Sequence, residues 1–543
     1  MVGKRQSGDP ENQLSTDRPV ALEPSRGWGP SMAPIARRAS WIPAPGEIFA
    51  NTYRITRTLK LTGSPVVNGF GIGGVSLVGQ SPDTTQIVWA GTPGDPMLVQ
   101  DGGAYTRFSR ITWDGKGSAG YGVAHWWNAK AGTWHDSSPE HTDEVFKNMK
   151  IGIMAGRLGT NYGQLDSEGQ VRRVQFINIS QAGLNTGSWN AMNWWIWDSR
   201  FTDCARGVSN LFTVSDISEP GAGSMHVYRS LFERSTVADI NIANTGTFSM
   251  HQNVSVGSRR FFQGESAGSN GASILLKGNR VLDTTDPVAI ANGNLGPIVL
   301  LDNSIRSASG NTSPAVLLND FVNGRDVVSV GNRYTVGKFI QTANGTDRAF
   351  SQEDTQVSAS AIASDLPVLP STPTQVSRQV FEVPAGASDK GMQDVIDRAA
   401  AAADPVTNPN PIVHFAPGTY KLSTTLVVPA GKRIQIVGDG MTSLIRWAGA
   451  SNGIMFQLNG PTQATVRDLQ LLANAPSARA FSLPQADQAG GRVVVMGSTT
   501  GNISGYNVQS TQISLQANGG VGGLNLSNVQ SFVSIGAGGV GPT

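Results

Sequence analysis

Five residues carry acid, base or charge chemistry at a spacing that would stack them: Arg173, Asp198, Arg229, His251 and Glu233. The first four stand three positions before the apolar residues Phe176, Phe201, Phe232 and Val254, and Glu233 follows Phe232 directly. In a straight strand, positions at odd offset from a buried residue face the other way. All five are therefore expected on one outward face, on neighbouring turns of a repeating structure. An aspartate between two arginines stays ionised, and a nearby histidine exchanges protons near neutral pH. Asp198 and Glu233 would suit an acid and a base or nucleophile, the two carboxylates of glycosidic cleavage. Arg229 and His251 suit that chemistry, or an elimination that needs a base beside a cation. A plain ladder of surface ion pairs is the competing reading, and such pairs contribute little stability.

Tryptophan adds a second signal. Eight of the 12 lie between Trp113 and Trp197. Indole faces stack on the C–H faces of sugar rings, and they also brace a core at low entropy cost. Trp126, Trp127 and Trp194, with Arg173, are expected to bind substrate. Trp197 shares the parity of Phe201 and is expected to face inward. The stretch from Asp114 to Gln170 is too long for an ordinary connection and is expected to be a functional loop. It holds His125, His135, Asp136, His141, Glu144 and Asp166, at spacings that match no metal-ligand signature. Solvated loop polarity is the expectation there, with no metal and no cofactor.

The elements that would position these residues follow from repetition. A short β-run closes on Phe176, Phe201, Phe232, Val254, Val281, Ile305 and Tyr334, between 22 and 31 residues apart. Uneven steps around a constant strand core fit a coil of β-strands whose turns differ in length. Two positions earlier stand Ser199, Ser230, Gln252, Asn279, Asn303 and Asn332. Stacked ~4.8 Å apart, such side chains can hydrogen-bond along a ladder. A larger repeat is also present: Leu77-Val78-Gly79 with Trp89-Ala90-Gly91 recurs as Ile436-Val437-Gly438 with Trp447-Ala448-Gly449. The expected fold is all-β: two tandem right-handed parallel β-helices, with a short helix from Asp389 to about Ala403 capping the second. The handedness is that of parallel crossovers in general.

The expected divisions are an atypical, disordered segment over 1–45, a first β-helix over 46–358, a linker over 359–380 and a second, truncated β-helix over 381–543. The linker is read from Leu366-Pro367-Val368-Leu369-Pro370-Ser371-Thr372-Pro373, where prolines enforce extension. The Arg/Pro-rich start reads as an out-of-frame replacement for a lost cap, and it shows no apolar run of a secretory signal. With 41 basic and 39 acidic residues the net charge is +2, which excludes a strongly basic nucleic-acid binder. Charged residues make up 15% of the chain, and 65 glycines point to many turns. No apolar run is long enough to span a membrane. The single cysteine, Cys204, permits no internal disulfide.

The run His414-Phe415-Ala416-Pro417-Gly418-Thr419-Tyr420, followed by Ile436-Val437-Gly438-Asp439-Gly440, resembles the opening rungs of the pectate-lyase-like superfamily. The two-copy plan is similar to that of glycoside hydrolase family 55. The resemblance implies a carbohydrate-active protein acting on polysaccharide or oligosaccharide outside the cell, a glycoside hydrolase above all. A polysaccharide lyase or epimerase, or a non-catalytic glycan-binding surface protein, stand as the alternatives. Family 55 also implies a catalytic glutamate late in the second helix, for which this chain offers no matching position.

Overall fold

The computed structural model describes strand Glu23–Pro24 and residues 46–543. Exceptions are position 49, 63–75, 105, 128–135, 157–165, 188–190, 212–223, 244–245, 266–270, 319–325, 343–347, 375–377, 473–477, 485–491 and the connections beyond 496. Of the segment 1–45, only Glu23–Pro24 is described, pairing antiparallel with Asn51–Ile55. The chain forms parallel β-helices. In the first unit each turn lays down a strand on each of three faces, as in Trp194–Trp197, Arg200–Thr202 and Arg206–Ser209. The next turn repeats the plan in parallel register with Met225–Tyr228, Leu231–Glu233 and Ala238–Ile242. We call these faces the first, second and third sheets. The first has 12 strands, from Gly46–Ile48 to Arg348–Gln352.

The corner between the first and second sheets decides which side chains point inward. Arg173, Asp198, Arg229, Gln252, Gly278 and Asp302 all take positive φ there, 51° at Asp198 and 48° at Arg229. Each left-handed residue turns the chain and donates its N–H to the strand end of the next rung, as from Asp198 to the Tyr228 carbonyl (3.1 Å). It also breaks the period of two. Buried side chains then fall one and three positions after it.

That rule corrects two sequence expectations. Phe146, Phe176, Phe201 and Phe232 stack at centroid distances of 5.5, 4.7 and 4.7 Å, but Ser255, not Val254, continues the column. Val254 faces outward with Leu231 and Leu282, covered by Ile362. Inside, Ser255 hydrogen-bonds the fully buried Asp239. The ladder residue of that rung is likewise Asn253 and not Gln252. Asn253, Asn279 and Asn303 each donate Nδ2 to the Oδ1 of the next at 2.9–3.0 Å, ending on Asn332. Each Oδ1 also accepts the backbone N–H one rung below it, and Asn332 itself bonds to Asp354. Replacing Asn279 with alanine strands the Asn253 N–H and the Met250 carbonyl, both met by this side chain. We expect a loss of about 3 kcal/mol in denaturant unfolding, since each buried unmet group costs ~1–3 kcal/mol.

The stretch 114–170 is not one long loop. It contains strands Tyr121–His125, Glu140–Thr142 and Val145–Ala155, regular rungs whose inward Phe146 belongs to the same aromatic stack. The Pro-rich linker is extended, and it runs back along the first unit. Arg333 holds the Ala361 carbonyl (2.8 Å), Arg280 pairs with Asp365 (3.1 Å), and Arg110 holds the Pro373 carbonyl (2.8 Å). Eight rung steps separate Arg333 from the corner of Arg110. At ~4.8 Å each they span ~38 Å, which twelve fully extended residues just cover.

The second unit has its own core and combines an eight-stranded with a five-stranded sheet. Its helix, Asp389–Ala402, is capped by Ser388, whose side chain accepts from the Gly391 N–H. Met392, Val395, Ile396 and Ala399 are buried along one side.

Candidate functional site

The outward face of the first sheet carries an aromatic platform. Parallel register aligns Gln170, Trp195, His226, Ser249 and Leu275 in one outward column, and Arg172, Trp197, Tyr228, His251 and Lys277 in the other. Trp195 stacks on His226 (5.4 Å, 21° between planes), and Trp197 tilts against Tyr228 at 6.3 Å. Tyr228 meets His251 edge-on at 5.1 Å. Below the rings, Ser249 Oγ bonds to His226 Nδ1 (2.6 Å) and to the Tyr228 hydroxyl (3.0 Å). Both tryptophans, both histidines and Tyr228 are half-buried. Burial, followed by the charge of His251, lowers the His226 pKa; burial, followed by Lys277, lowers that of His251. Both imidazoles are neutral at pH 7. Arg172 and Lys277 bracket the platform as exposed cations.

The five residues first singled out divide among three places. Arg173, Asp198 and Arg229 do stack, at the corner, joined by Asp143. Arg173 grips Asp143 with two bonds (2.7 and 2.8 Å), and Arg229 grips Asp198 the same way (2.9 and 3.2 Å). His251 ends a first-sheet strand and belongs to the platform. Gln252 takes the corner position expected of it, and the Arg229 N–H reaches the His251 carbonyl at 3.0 Å. Glu233 lies on the second sheet, held by Arg200 Nε (2.7 Å) and Thr202 Oγ1 (3.1 Å). The corner lies between Glu233 and the platform.

The aromatic expectations divide as well. Trp194 is fully buried, with its Nε1 donating to the Asp166 carbonyl (3.0 Å), so it has no face to offer a ligand. Trp197, expected inside, faces out. Asp198 accounts for both corrections, because its left-handed turn inverts the parity counted back from Phe201. Trp126 is half-buried edge-on to Tyr121 (5.3 Å), and the Trp127 N–H donates to Asp166 (3.3 Å). Trp195, Trp197, His226, Tyr228 and Ser249 escaped the sequence reading. The signal that would have found them is Asp, Arg, Gln or Gly three positions before the stacked residue, marking the turn.

A second polar group lies inside the core. His125 and His141 are fully buried, with their Nε2 atoms 2.9 Å apart. Asp136 and Glu144 bond the outer nitrogens. Expected as solvated loop, these residues are packed against Phe108 and Trp194. Among the described residues, no group of three or more His, Cys, Asp or Glu is arranged to hold a metal ion.

No family model matches the sequence, and no curated protein matches it either. Solved structures do. A PL6-family alginate lyase, AlyGC, is 12% identical, with a TM-score of 0.30, over 92% of this chain and 83% of that one. The catalytic unit of a GH87 α-1,3-glucanase from Streptomyces thermodiastaticus is 13% identical, with a TM-score of 0.31, over 91% and 70%. A tailspike of Escherichia coli bacteriophage HK620, solved with a hexasaccharide, is 12% identical, with a TM-score of 0.35, over 90% and 73%. The parallel β-helix assigned to this chain rests on its own strand registers.

Proposed function

We propose that this chain is a carbohydrate-active protein that lays an extended polysaccharide along the aromatic platform of its first sheet, outside the cell. One observation carries the reading. Trp195, Trp197, His226 and Tyr228 form two adjacent rows of half-exposed rings on the outward face of a parallel sheet. Rows of rings ~4.8 Å apart along the helix axis present a continuous aromatic strip on which a chain of pyranose rings can lie. Arg172 and Lys277 at the two ends add cationic hydrogen-bond donors. Ser249 ties His226 and Tyr228 together by hydrogen bonds, which fixes polar groups within the platform.

Hydrolysis is the second reading, and it belongs to Asp198 and Glu233. Both are mostly buried and each is held by an arginine, which would fix a catalytic carboxylate in place. Their separation onto a corner and a second sheet favours the platform instead. We therefore expect Asp198→Asn and Glu233→Gln to keep binding and turnover within about threefold of wild type. A loss of ~10²-fold or more, the effect of removing an acid or base, would move the chemistry to these two residues. A polysaccharide panel with product analysis tests the function directly. Binding without new ends makes the protein a glycan-binding module, reducing ends alone indicate hydrolysis, and unsaturated products indicate elimination. No binding to any polysaccharide would sink the proposal.

A further inference from the structure

Three hydrogen bonds run through the core in one line: Asp136 Oδ2 to His125 Nδ1 (3.2 Å), His125 Nε2 to His141 Nε2 (2.9 Å), and His141 Nδ1 to Glu144 Oε2 (2.7 Å). The two outer carboxylate oxygens are occupied as acceptors. Asp136 Oδ1 takes a bond from Gln100 Nε2 (2.8 Å), and Glu144 Oε1 takes one from Trp113 Nε1 (2.8 Å). Each of the three inner bonds holds one proton, and nowhere else along the line has room for another. The count is therefore three, whichever atoms hold them. Two carboxylates and two imidazoles with three protons carry a net charge of −1.

We propose that Asp136, His125, His141 and Glu144 form a buried three-proton chain that takes up one proton when it assembles at neutral pH, fastening three rungs most tightly in a narrow pH window. His125 and His141 stand on strands Tyr121–His125 and Glu140–Thr142, Asp136 opens strand Asp136–Ser137, Glu144 directly precedes Val145–Ala155, and Gln100, which anchors Asp136, stands on Pro96–Asp101. Opened to water at pH 7.5, the four groups hold about two protons, one on each neutral imidazole. Closing the chain then binds a third. At pH 5.5 the opened groups hold nearly four, and closing expels one. The two counts match near pH 6.5, the ordinary histidine value, where the opening free energy is greatest. A fourth proton places two imidazolium N–H groups head to head and breaks the central bond.

The charged neighbours are acidic. Asp101 and Asp166 face Asp136, and Asp143 faces Glu144, with Asp143 neutralised by Arg173. Burial raises the Glu144 carboxyl well above its usual range and lowers His141 well below its own. Those directions fit a Glu144 that keeps its proton and donates it to a neutral His141.

Hydrogen exchange of the full chain tests this through peptides covering residues 140–149, with rates corrected for intrinsic pH dependence. Wild-type protection should peak near pH 6.5 and fall about tenfold per pH unit between 7.5 and 8.5, the slope of one proton bound on closing. In Glu144→Gln the amide donates to His141 in place of the acid proton, so the closed chain holds two titratable protons, as the opened one does. Its protection should be flat between pH 7.5 and 8.5. Asp136→Asn should behave alike, and it serves if the first variant does not fold. Wild-type protection without a maximum overturns the proposal, and so does the same alkaline slope in a folded variant.

Discussion

Replacing Asp239 with asparagine should raise stability relative to wild type steadily between about pH 4 and pH 7, because it removes a contribution that falls over that range. Asp239 is fully buried, and its pKa is pushed up from 3.8 to about 7, by burial before anything else. Ser255 donates to one oxygen and the Ser258 and Ser235 hydroxyls also favour the charged form, but burial outweighs all three. The ionised form is therefore poorly met, and the native state keeps the proton. The sign follows from linkage. Between the two pKa values the folded chain binds more protons than the unfolded chain, so stability is full below about pH 4 and is lost as pH rises to about 7. Three units at ~1.4 kcal/mol each give about 4 kcal/mol. Asparagine fills the same space and cannot ionise. Denaturant midpoints measured across this range should converge on the variant's advantage at neutral pH. Parallel profiles for the two proteins would show that Asp239 is ionised in the core.

The buried Asp239 also marks where the sequence stopped being legible. The parallel β-helix, the Asn ladder and the helix from Asp389 could be read because each depends on residue type at a repeating interval. Stacked phenylalanines declare themselves, whereas a serine completing the same column does not. Ser255 sits where Phe232 predicts a large apolar residue, and the adjacent Val254 was the natural but wrong choice. Its partner Asp239 lies sixteen residues earlier, so the polar pair closes through space and leaves no local pattern. Parity failed for a related reason. Counting by twos assumes a straight strand, and Asp198 in the left-handed region adds a bend that exchanges the faces of Trp194, Trp195 and Trp197. The regular rungs of 114–170 were hidden because their inward residues include His125 and His141, which read as loop polarity until their four-group chain is seen closed.

Alanine at both Trp195 and Trp197 should weaken polysaccharide binding by at least ~100-fold, the largest functional effect expected of any pair in this chain. Each indole is half-exposed and packs on a second ring, His226 or Tyr228, so a sugar laid along the outward side of the row touches two aromatic groups at once. A stacking contact is worth ~0.5–1.5 kcal/mol beyond area burial, and truncation of a central aromatic anchor commonly costs 2 kcal/mol or more. Two such losses make ~4 kcal/mol, which comfortably exceeds two powers of ten in Kd. The fold should tolerate the change. Both side chains point away from the core, and the inward members of the strand, Trp194 and Ile196, are untouched. The competing account is that these rings merely shield the sheet. It predicts the reverse: a lower melting temperature with unchanged affinity for whichever polysaccharide the wild type binds. Trp126→Ala supplies the contrast, since Trp126 packs on Tyr121, away from both columns, and its loss should leave affinity within about threefold. Equal losses from Trp126 and from the platform pair would mean that the glycan follows a different path across the helix. Burial lowers the pKa of both His226 and His251 below the ordinary histidine value, so affinity should also change little from pH 7 to 8. A fall in affinity over that range would place a protonated imidazole in the contact and assign the two histidines a charge-bearing role.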